Sequence, residues 1–126
     1  ETIYSGDDAA IKPVLEKSWT YMKRAHLHAG AMGTTALALT VLVALLGSSP
    51  LVIRAIGLAL GAGGLGYSIF WMWAGFLAPA LGGTGAAKES LRWLAIPSSG
   101  AYLLATVAVL LILIKTLAAP ETRPAI

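Results

Sequence analysis

Residues 25–53 read AHLHAGAMGTTALALTVLVALLGSSPLVI, and none of them is Asp, Glu, Lys or Arg. The same absence recurs twice further on. Arg54 and Lys88 bound a second charge-free run, and Arg92 and Lys115 bound a third. The nine Lys and Arg and the six Asp and Glu all lie outside these runs. About 20 apolar residues in a helix cross roughly 30 Å of hydrocarbon. A charge at the bilayer centre costs about 2.5–3.5 kcal/mol on insertion scales. Each run is long enough for one crossing, so the charge pattern predicts an all-α integral membrane protein with three transmembrane helices.

Composition supports this. Of the 126 residues 57% are hydrophobic and 12% charged, where a soluble domain carries about 25% charged residues. A small globule has too much surface to leave that uncovered. There is no Cys, which excludes disulfides, thiolate metal sites and covalent c-type haem. Residues 1–26 are polar and of mixed charge, unlike a signal peptide. The net charge of +3 comes from basic residues that flank apolar runs, so lipid head groups and neighbouring membrane subunits are the expected partners, and nucleic acid is not.

Residues 1–12 read as a polar lead in which Ser5-Gly6-Asp7-Asp8 makes a turn. Pro13 suits a first helical turn and Glu16 the positive end of the helix dipole. Val14, Leu15, Trp19, Met22 and His26 recur at 3–4 spacing, which predicts an amphipathic interfacial extension of the first helix, anchored by Trp19 and Tyr21. The membrane domain is expected over 13–118, with spans at about 25–46, 51–78 and 94–116. Gly47-Ser48-Ser49-Pro50 is a turn. Pro79 and Gly82-Gly83 end the second helix, whose uncharged run exceeds one span and implies tilt. Arg54, in its first turn, snorkels outward. Residues 82–87 read as a loop. One helix follows from about Ala86 to Leu117, with Lys88, Glu89 and Arg92 on its wet side, Leu91 and Trp93 on its apolar side, and Pro97 as a kink or the point of membrane entry. Residues 119–126 are a polar tail that Pro120 and Pro124 hold extended.

Lys12, Lys17, Lys23, Arg24, Lys88 and Arg92 fall on one side of such a fold, and Arg54, Lys115 and Arg123 on the other. The positive-inside rule then puts the N-terminus in the cytoplasm and the C-terminus outside, with a bacterial inner membrane as the expected location.

Three features bear on chemistry. Gly57, Gly61, Gly64 and Ser68 form a stripe of small residues, widened by Gly63 and Gly66. Such faces let helix backbones approach closely. The stripe serves either another subunit or flat cofactor, or this chain's own helices, where Gly30, Gly33, Ala101, Ala105 and Ala108 are small partners. Phe70, Trp71, Trp73 and Phe76, with Trp93, read either as an interfacial aromatic belt or as the wall of a pigment or quinone pocket.

The third feature is His26-Leu27-His28, the only histidines. Two residues apart on a helix means about 200° apart, so the rings face opposite ways and cannot chelate one metal ion. His26 shares its face with Met22, Gly30 and Gly33, and His28 shares one with Met32 and Thr35. The first reading of the two is as interfacial histidines hydrogen-bonding lipid head groups or neighbours; after it come haem ligation and another metal or proton-relay role. A haem b would need a second ligand, either Met72, paired with His28 in the same leaflet, or a residue of a partner subunit. The stretch His26 to Gly33 resembles the short His-x-His-x-x-x-x-Gly segment of haem–copper oxidases and their relatives. There the two histidines serve different haems on opposite sides of one helix. The likeness covers these eight residues alone, and the further ligand histidines of that family have no counterpart in this chain.

The long uncharged runs hold no Asp, Glu, Lys or Arg, and no nucleophile triad, carboxylate pair or phosphate loop is present. The expected function is therefore that of a small accessory subunit of a larger membrane complex, a respiratory or photosynthetic electron-transport assembly, with no catalysis of its own. The alternatives are a b-type haem electron carrier using His26 or His28, and a small transporter.

Overall fold

The computed structural model describes residues 4–119. The chain folds into four helices, with no strand among the described residues: α1 Asp8–Leu45, α2 Pro50–Leu77, α3 Thr84–Ser90 and α4 Arg92–Ala118. Three of them, α1, α2 and α4, are long and apolar enough to cross a membrane. The tail prolines Pro120 and Pro124, and Arg123, lie outside the described residues.

The first helix begins earlier than the position of Pro13 implies. The predicted turn forms, with the Asp7 amide bonded to the Tyr4 carbonyl at 2.8 Å. Asp7 then caps α1 by accepting from the amides of Ala9 at 2.9 Å and Ala10 at 3.2 Å. A side-chain cap satisfies amides that a helix start leaves free, so the helix propagates from Asp8 and takes in half of the expected polar lead. Pro13 sits inside α1. Between α1 and α2, Gly47 takes the left-handed conformation (φ 73°) that ends a helix. Ser49 caps α2, its hydroxyl accepting from the Val52 amide at 3.4 Å, and Pro50 occupies the first turn.

The expected single helix from Ala86 to Leu117 is instead two. α3 starts at Thr84, within the expected loop, and stops at Ser90. Leu91 leaves helical geometry (φ −109°, ψ 11°) before α4 begins. The reason is burial: Leu91 is only 5% exposed and packs with Tyr21, Phe70, Ala74, Ala78 and Ala87. A continuous helix would have to give up that contact. Pro97 lies inside α4.

α2 is the centre of the fold, packed against α1 on one side and α4 on the other, while α1 and α4 meet only sparsely. A second apolar cluster, Ala36, Val43, Ile56, Leu60, Ala105 and Val109, holds the end near the α1–α2 turn. Outside it the long side chains point away from the protein: Leu37, Leu58 and Leu104 are 68%, 72% and 73% exposed. Soluble monomers rarely expose so much contiguous apolar surface, and such a surface is compatible with a lipid surround.

Tyr102 ties α4 to α1. Its hydroxyl donates to the Met32 carbonyl at 3.2 Å, and its ring passes beside Gly64 on the way. Tyr102→Phe is expected to cost about 0.6 kcal/mol, the typical worth of a hydrogen bond between helices packed in an apolar surround. Equilibrium unfolding of the variant in mixed micelles measures it.

Candidate functional site

The glycines divide into two sets by what surrounds them. A methyl group at Gly63 would stand 2.7 Å from the Ser98 carbonyl oxygen and 2.9 Å from the Tyr102 nitrogen, both main-chain atoms of α4. One at Gly66 would collide with the Ser98 hydroxyl. On the α1 side, a methyl at Gly57 meets Thr40 at 3.3 Å, one at Gly64 meets Met32 at 3.3 Å, and one at Gly75 meets the Ser18 carbonyl at 3.0 Å and the Met22 Cγ at 3.1 Å. Ser68 is buried beside them, its hydroxyl donating to the Gly64 carbonyl at 2.8 Å. These residues pack the chain against itself. At Gly30, Gly33 and Gly61 an added methyl meets nothing within 4 Å. The Gly57–Gly61 pair is therefore split, Gly57 facing Thr40 and Gly61 facing open space.

The close approaches also fix a register. α1 and α2 run antiparallel, with Met22 against Gly75, Met32 against Gly64 and Thr40 against Gly57. His26 then lies level with Trp71, one residue from Met72, and His28 lies level with Ile69. At 1.5 Å per residue Met72 is about 1.5 Å from His26 in height along the helix pair and about 4.5 Å from His28.

The side chains agree with that register. His26 and Met72 line one groove, of about 410 Å³, on the open side of the α1–α2 seam, together with Met22, Ala25, Ser68 and Phe76. Ala29 and Leu65 connect it to a smaller hollow of about 160 Å³ over Gly33 and Gly61. His28 is elsewhere. Its ring stacks on Trp71 at 5.9 Å between centroids and meets Tyr67 edge-on at 5.3 Å. Its Nδ1 lies 2.6 Å from the Arg24 carbonyl oxygen. A carbonyl oxygen only accepts, so Nδ1–H donates there. Met72 thus lines the groove that His26 lines, and His28 does not line it.

The aromatic residues divide as well. Phe70 is buried and Trp71 half-buried in a cluster with Tyr21 and Tyr67, capped by the Arg24 guanidinium 5.2 Å from the Trp71 ring and 5.7 Å from that of Tyr21. Such contacts hold a cation over a ring face. Trp73, Phe76 and Trp93 are exposed. Arg92 donates to Glu89 at 2.9 Å on the surface.

Among the described residues no three His, Cys, Asp or Glu side chains gather as a metal-binding group. Comparison with known proteins gives no matching family model, curated relative or solved structure.

Gly75 and Tyr102 were missed in the sequence, and both left signals there. Gly75 continues the stripe seven residues beyond Ser68, two helical turns on the same face. Tyr102 carries a hydroxyl in an apolar run, where it must find an acceptor.

Proposed function

We propose that the chain is a small accessory subunit of a larger membrane assembly, its three long helices crossing the bilayer and the open side of its α1–α2 seam receiving a helix of another subunit. The observation that carries this reading is the second set of glycines. Gly30, Gly33 and Gly61 stand uncovered on exposed faces of α1 and α2, where Ala29 and Leu65 flank the hollow over Gly33 and Gly61, while the remaining α2 glycines are used for internal packing. Small residues at such positions let a further helix backbone approach closely, the main source of association between helices in lipid. A respiratory or photosynthetic electron-transport complex of a bacterial inner membrane is the proposed host.

In this reading the end that carries α3 and the start of α1 faces the cytoplasm. Lys12, Lys17, Lys23, Arg24, Lys88 and Arg92 gather there, against Arg54 and Lys115 at the opposite end, as the positive-inside rule requires.

A b-type haem carrier has one feature in its favour, the common level of His26 and Met72. It has one against: Met22 lies between the helices beside them, against Gly75, where a porphyrin plane would have to enter. A transporter gains nothing from four hydroxyls of the spans. Thr40, Ser68, Ser99 and Thr106 each donate to a carbonyl of their own helix.

The test is affinity purification of the tagged chain from native membranes in mild detergent, read by mass spectrometry. Defined stoichiometric partners are expected with the unaltered chain. Gly33→Leu and Gly61→Leu should lose them while keeping helix content, because a Cβ at either position meets nothing within 4 Å. A chain that purifies alone and monodisperse would remove the basis of the reading.

A further inference from the structure

Met22, His26 and Met72 stand out in the α1–α2 groove because they are its only side chains with donor atoms not already engaged. Met22 and His26 are four residues apart on α1 and so lie on one face, one turn apart. The Met22 side chain reaches across to α2, its Cγ 3.1 Å from where a Cβ on Gly75 would be. Met72 is one turn from Gly75 on the same helix and about 1.5 Å from His26 in height. Two of the chain's three methionines therefore line the same groove as His26. The Ser68 hydroxyl is used by the Gly64 carbonyl at 2.8 Å, and no carboxylate lines the groove.

We propose that Met22, His26 and Met72 form a binding site for Cu(I). Thioethers are soft donors that select monovalent copper, whereas carboxylate and carbonyl oxygen suits Mg, Ca and Mn. The three donors are neutral, so bound Cu(I) brings a single positive charge into an apolar surround, where a dication would cost far more. Cu(II) prefers tetragonal nitrogen and oxygen donors, which the groove does not offer. Methionine has three rotatable bonds and adapts to irregular gaps, so both sulfurs close on the metal without moving the helices. The absence of a bulky group at Gly75 is what lets Met22 cross the seam. The site stands independently of the subunit reading.

The test is anaerobic titration of the chain in detergent micelles with Cu(I), in competition with a chromophoric Cu(I) chelator. One equivalent is expected. His26→Ala, Met22→Leu and Met72→Leu should each weaken binding at least about 100-fold, since loss of a metal's supporting partner alone costs 10–100-fold. Met→Leu nearly conserves volume, so circular dichroism and thermal unfolding of these variants should match the unaltered chain. Met32→Leu, on the Gly64 side of the seam, should bind normally. X-ray absorption at the copper edge should show two sulfur neighbours and one nitrogen. The proposal fails if the unaltered chain takes no Cu(I) from the chelator, or if His26→Ala or Met72→Leu binds as tightly as it. It fails equally if the purified chain carries a haem absorption band that His26→Ala abolishes.

Discussion

Gly63→Ala is expected to destabilise the fold by about 2 kcal/mol, even though alanine is the better helix former. Intrinsic propensity favours alanine over glycine by about 1 kcal/mol inside a helix. Overpacking a well-filled contact costs about 1–3 kcal/mol, and Gly63 belongs at or beyond the upper end of that range. Its neighbours across the seam, the Ser98 carbonyl at 2.7 Å and the Tyr102 nitrogen at 2.9 Å, are main-chain atoms. A flexible side chain could turn away, but a helix backbone has to move as a body. Moving α4 would also pull the Tyr102 hydroxyl from the Met32 carbonyl. Gly61→Ala makes the same chemical change two residues earlier, with nothing within 4 Å, and should be neutral or stabilising by up to about 1 kcal/mol. Unfolding of both variants by sodium dodecyl sulfate in mixed micelles, followed by circular dichroism, decides the matter. Equal midpoints would mean that α2 and α4 do not approach as closely as described.

That contrast marks the limit of what the sequence discloses. Three charge-free runs bounded by Arg24, Arg54, Lys88, Arg92 and Lys115 give the number and approximate limits of the long helices, because desolvating a charge is too costly to allow exceptions. The same economy leaves the helix faces nearly undifferentiated. Exposed and buried positions are both apolar, so periodicity does not tell Gly61 from Gly63. Nor does spacing tell which histidine meets Met72. That depends on the α1–α2 register, set by contacts at Gly57, Gly64 and Gly75 far apart in sequence from their partners. Local chemistry explains the remaining differences. Asp7 starts α1 ahead of Pro13, and burial of Leu91 divides the expected third helix, where a polar turn residue would normally announce such a break.

Leu60→Ala probes the solvent that this fold is built for. Leu60 is fully buried on α2, in the cluster with Val43, Ile56 and Val109. In a water-soluble core, Leu→Ala costs about 2–5 kcal/mol, part from losing the transfer of methyl groups out of water and part from the cavity left behind. In the proposed membrane setting the first part vanishes. When the helices separate, Leu60 passes into hydrocarbon as apolar as itself, and only the packing lost around the cavity remains. The expected cost is therefore about 2 kcal/mol, at the foot of the soluble range. Leu58→Ala removes the same atoms from a side chain that is 72% exposed and should shift stability by no more than about 0.5 kcal/mol. Unfolding of both variants in mixed micelles and in lipid bicelles gives the two numbers. A Leu60→Ala cost of 4–5 kcal/mol would mean that water, not lipid, receives this side chain on unfolding, and the three long helices would then have to be read as the core of a larger soluble assembly.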